Sequence, residues 1–68
     1  MKAIDFLKKH NYDLNNLGLL FLQKPIQTEE DAIKVIKLMA EKKGAYKYIV
    51  NFARKLNNEK ENNYENFN

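Results

Sequence analysis

The chain contains no cysteine, serine or tryptophan, and only one each of proline, histidine and threonine. Without cysteine there is no disulfide and no thiolate metal site to staple a small domain. That absence suits a reducing compartment. Without a Ser or Cys nucleophile, and with the single threonine, Thr28, placed to cap a helix, covalent catalysis has few possible carriers. His10 is the only histidine. A lone histidine beside an apolar face is more often an edge-of-core residue than a base or a ligand. Gly18 and Gly44 stand apart, so no glycine-rich loop exists to cradle phosphate. Glu29, Glu30 and Asp31 are consecutive, and consecutive helix positions point in different directions, so they converge poorly on one metal ion. The longest apolar run, residues 19–22, is far short of a membrane span. The charges of the opening MKAIDFLKKH are too closely spaced for a signal peptide. The expectation is a cytoplasmic protein that is not an enzyme, holds no metal and no cofactor, and does not enter a membrane.

What is present is lysine, asparagine, leucine, isoleucine, glutamate and tyrosine, a usage that often follows from an AT-rich genome. Sixty-eight residues allow one domain with a modest core. The net charge of +3 hides an asymmetry. Residues 1–56 carry eleven Lys/Arg against six Asp/Glu, whereas residues 57–68 carry Lys60 against Glu59, Glu61 and Glu65. A basic body with an acidic tail is a pattern of anion-binding proteins.

Apolar spacing predicts four helices. Ala3, Leu7 and His10 share a face at i, i+4, i+7 with Phe6 beside them, giving a first helix over residues 2–10. Asn11 and Asp13 mark a turn. Asp13 caps a second helix over residues 14–23, where Leu14, Leu17 and Phe21 share one face. Leu19, Leu20 and Leu22 spread around the rest, which calls for a second partner. A short strand is the alternative for this run, but leucine outnumbers β-branched residues. Pro25 stops the segment. Thr28 caps a third helix, whose first-turn carboxylates favour the positive end of the dipole. Its broad apolar face is Ala32, Ile33, Val35, Ile36, Met39 and Ala40, and Glu30–Lys34 and Lys37–Glu41 are i, i+4 pairs on the other side. Gly44 reads as its C-terminal stop. Ala45, Tyr48, Ile49, Phe52, Ala53 and Leu56 form a fourth helix over residues 45–56. Residues 57–68 have six asparagines and no aliphatic side chain, so disorder is the expectation. The fold class is all-α: a compact bundle of about four short helices over residues 1–56 with a disordered Asn/Glu-rich tail.

Residues 36–55 carry the functional signal. Lys42, Lys43, Lys47, Arg54 and Lys55, with Tyr46 and Asn51, form a basic, partly aromatic face with no acid after Glu41. Cations of this kind neutralise phosphates and release counterions. The spacing of Ala40, Gly44, Tyr46, Val50, Asn51 and Ala53 resembles the helix-turn-helix of the Cro repressors of lambdoid phages. Lys43, Tyr48 and Phe52 depart from that pattern, as does the length of the preceding helix. The resemblance implies that Tyr46, Lys47 and Asn51 face the major groove of duplex DNA and that Ala40, Val50 and Ala53 pack between the two helices. The expected function is a phage-type or mobile-element DNA-binding regulator acting as a homodimer. The alternative is a small protein-binding inhibitor of a host enzyme or defence complex. Leu19, Leu20 and Leu22 are the candidate surface for self-association or for a protein partner, because surplus exposed apolar surface marks an interface.

Overall fold

The computed structural model describes residues 1–67, with side chains for residues 1–58. It contains four helices: α1 (Ala3–Lys9), α2 (Leu14–Leu22), α3 (Glu29–Glu41) and α4 (Lys47–Phe67). Among the described residues there is no strand, so the run at residues 19–22 is helical. No helix among them is long and apolar enough to cross a membrane.

α3 is the central element, and α1, α2 and α4 all pack against it. Leu7, Val35, Ile36 and Ile49 are fully buried at the meeting of α1, α3 and α4. Phe6 and Phe52 close this core by stacking at 4.0 Å between ring centroids. α2 adds a second layer, with Leu14, Leu17, Phe21 and Leu22 half-buried against the cluster.

The helix starts are held by side chains. Asp13 accepts from the backbone N–H of Asn15 and Asn16, and Thr28 accepts from that of Asp31. α1 has no cap of its own at Lys2. The Glu29 carboxylate takes that role from the start of α3, accepting from the N–H of Ala3 and, at 3.1 Å, from that of Ile4. One carboxylate therefore lies at the positive ends of two helices, a favourable place for negative charge. Asp31 accepts from the Gln27 N–H and pairs with Lys24 at 3.2 Å. The Gln27 hydrogen bond, with Lys24 adding to it, holds its carboxyl below the usual carboxylate range. That ion pair is the one found among the described residues. The Glu30–Lys34 and Lys37–Glu41 pairs expected on α3 do not close, since exposed side chains lose more rotamer freedom than a solvated pair returns.

Gly18 is buried inside α2. A Cβ there would collide with the backbone of Lys24, Pro25 and Ile26, which crosses directly over it. The Ile26 N–H donates back to the Leu14 carbonyl, and the Ile26 side chain is buried in the core. Gln23, with φ 62°, makes the reversal that brings this segment over α2.

Two boundaries differ from the sequence expectation. α3 ends at Glu41 because Lys42 turns extended, with ψ 143°. Gly44 lies three residues further on and takes φ 82° inside the linker. The Ala45 N–H donates to the Lys42 carbonyl, placing Gly44 at the position where a type II turn requires positive φ. α4 then starts at Lys47 rather than Ala45. At its other end, Asn57 and Asn58 continue α4 beyond Leu56. The backbone of α4 runs on to Phe67; the side chains from residue 59 on, and all of Asn68, lie outside the described residues, and with them the expectation of disorder there.

Candidate functional site

All seven residues of the basic stretch are exposed: Lys42, Lys43, Tyr46, Lys47, Asn51, Arg54 and Lys55. They divide into two groups. Lys47, Asn51, Arg54 and Lys55 stand at i, i+4, i+7 and i+8 of α4, which places them along one stripe of the helix. The opposite side of α4 buries Ile49, Phe52 and Ala53 in the core, so the stripe points to solvent. None of its cations pairs with a carboxylate among the described residues.

Lys42, Lys43 and Tyr46 lie on the linker instead. They line an open cleft of about 350 Å³ between the C-terminal part of α2, the end of α3 and the start of α4. Its apolar walls are Leu17, Leu20, Phe21, Met39 and Ile49. The Lys42 ammonium lies 5.1 Å from the centroid of the Phe21 ring, within cation–π range. Leu20 and Tyr46 are the most exposed large apolar side chains beside it, at 72% and 66%. Leu19 is 53% exposed on the same helix, whereas Leu22 is half-buried against the core.

The cleft connects to the core through an aromatic chain. Tyr46 stacks on Tyr48 at 5.6 Å, Tyr48 on His10 at 4.3 Å, and His10 meets Phe6 at 4.7 Å. His10 thus serves as a packing group at the edge of the core. The Tyr12 and Tyr48 hydroxyls share a hydrogen bond of 2.8 Å. Partial burial, and then that hydrogen bond, push the Tyr12 phenol up to about 12.

A second groove, of about 390 Å³, runs between α3 and α4. Ala40, Val50 and Ala53 form its floor, with Lys37, Glu41 and Arg54 at its edges. Ala53 is buried, and Ala40 and Val50 are half-buried. Arg54 borders this groove, so the α4 stripe runs beside α3 at that point.

The sequence singled out the cations and the leucines separately, and the fold brings Leu20 and the linker lysines to one cleft. Tyr12, Phe21 and Met39 were not singled out as site residues. Their signal was the surplus of apolar positions in α2, which marked an interface without naming its walls. No group of His, Cys, Asp or Glu among the described residues is arranged to hold a metal ion. Compared with protein-family models, with curated proteins and with solved structures, the chain matches none.

Proposed function

We propose that this chain is a small non-enzymatic binding protein of the transcription-regulator type, which takes duplex DNA on the solvent stripe of α4. The observation that supports it is the row Lys47, Asn51, Arg54 and Lys55: exposed, on one stripe, and with no described carboxylate paired to it. An α-helix fits the major groove, and a row of this kind supplies phosphate contacts from its cations and a base-edge contact from an amide such as Asn51. Two of the carboxylates of the fold are engaged elsewhere: Glu29 caps α1 and Asp31 pairs with Lys24.

The test is a gel shift with mixed-sequence duplexes at low salt. A shift that Lys47→Ala plus Arg54→Ala abolishes, and that Lys34→Ala leaves intact, is the expected result. No shift with any duplex refutes the proposal. A second reading is favoured by a different observation, the exposure of Leu19 on α2 and of Leu20 at the cleft. It makes the chain a helical inhibitor of a host protein, held by apolar anchors. Such a protein would co-purify with one partner at fixed stoichiometry, and Leu20→Ala would release it.

A further inference from the structure

We propose that the apolar cleft receives the acidic C-terminal segment of a second copy of this chain, so that two copies pair reciprocally, tail to cleft. Tyr64 and Phe67 are the anchors, and Glu61 and Glu65 meet the lysine rim.

The cleft specifies its occupant by chemistry. Its walls are apolar, its exposed edge is Leu20 and Tyr46, and its only charged lining residues are Lys42 and Lys43. It therefore fits a segment with a few large apolar side chains among carboxylates. Residues 59–68 have that composition: Glu59, Glu61 and Glu65 against Lys60, with Tyr64 and Phe67 as the only apolar side chains. A volume of about 350 Å³ accommodates aromatic rings and is of the order of small-ligand sites.

Geometry places the contact between copies. Tyr46 and Ile49 lie at the N-terminal end of α4, and that helix continues to Phe67. At ~1.5 Å per residue, Phe67 is carried roughly 27 Å along the axis from Ile49, away from its own cleft. A second copy running antiparallel brings its tail to that cleft and offers its own cleft to the first tail. This is a closed two-fold arrangement. Direct apposition of two clefts would instead set the Lys42 and Lys43 rims against each other, like charge on like. Pairing through the tail also covers Leu20, whose exposure a core this small leaves uncompensated.

Light scattering and sedimentation of the full chain test the proposal. The expected result is a dimer whose dissociation constant rises at least tenfold with Tyr64→Ala plus Phe67→Ala, at unchanged helical circular dichroism. Charge exchange gives the second arm. A chain with Lys42→Glu and Lys43→Glu, and a chain with Glu61→Lys and Glu65→Lys, each place like charges at the contact and self-pair weakly. Mixed together they restore opposite charges at both contacts and form a mixed dimer. A wild-type chain that stays monomeric to high micromolar concentration overturns the proposal. So does a dimer that survives loss of Tyr64 and Phe67, or a mixture that fails to pair.

Discussion

The two ends of α3 treat charge in opposite ways. At its start, every described carboxylate but Glu30 has a partner: Glu29 holds the amides of α1, and Asp31 holds Lys24 and the Gln27 N–H. Beyond its end, Lys42, Lys43 and Lys47 stand exposed with no carboxylate within ion-pair reach among the described residues. The first arrangement ties together segments far apart in the chain and serves stability. The second repels itself and serves no fold contact apart from Lys42 over Phe21. Unpaired charge of one sign beside an exposed apolar cleft is what supports the proposed interface.

Substitutions sharpen that contrast. The largest effect is expected from Gly18→Ala, which forces a side chain into the backbone of residues 24–26. Overpacking at a backbone contact costs ~1–3 kcal/mol and occasionally more, a large part of the stability of so short a chain, and denaturant unfolding reads it directly. Glu29→Ala follows. It removes the only side-chain cap of α1 and should cost about 1–2 kcal/mol by the same measurement. At the other end of α3, Lys43→Ala and Lys47→Ala should change stability by no more than about 0.5 kcal/mol, as surface changes do. If either lysine variant destabilises as much as Glu29→Ala, the division between a stabilising end and a binding end is broken.

The smallest effect is a dependence on alkaline pH. The Tyr12 phenol is raised in the folded state to about 12 from an ordinary value of 10.0. The folded chain thus keeps this proton where the unfolded chain has begun to lose it. Its contribution to stability is complete below pH 10 and is lost as pH rises from there toward 12. Tyr12→Phe should flatten the fall of stability in that window, and at neutral pH it loses the hydrogen bond to Tyr48. Denaturant midpoints across the window check this.

How much of this was legible in the sequence depended on how local each cause was. The starts of α2 and α3 could be read because Asp13 and Thr28 bond amides two or three residues away. The same holds for the buried faces of α3 and α4, which periodicity marks directly. The capping of α1 by Glu29 was not legible, since donor and acceptor are separated by more than twenty residues and meet only once α1 packs on α3. Glu29 was readable only as a first-turn carboxylate of its own helix. Gly18 read as an isolated glycine in an apolar run, because the chain that crosses it returns only after Gln23 and Pro25. The end of α3 was misplaced for a related reason. Gly44 is the residue that tolerates positive φ, but the helix had already stopped at Glu41, where no residue type announces an extended Lys42. That shift moved Lys42, Lys43 and Tyr46 off the helix and into the cleft. For this reason the site is two adjoining surfaces rather than the single face the sequence implied.

The most direct measurement of the central claim, that the exposed cations form a nucleic-acid surface, is the salt dependence of duplex binding by fluorescence anisotropy. Each phosphate neutralised contributes a slope of about −0.9 to log K against log salt. With Lys47, Arg54 and Lys55 engaged, the slope should lie roughly between −2 and −3, and Lys47→Ala should make it shallower by about one. Binding whose slope is flat, or whose slope Lys47→Ala leaves unaltered, would contradict the account.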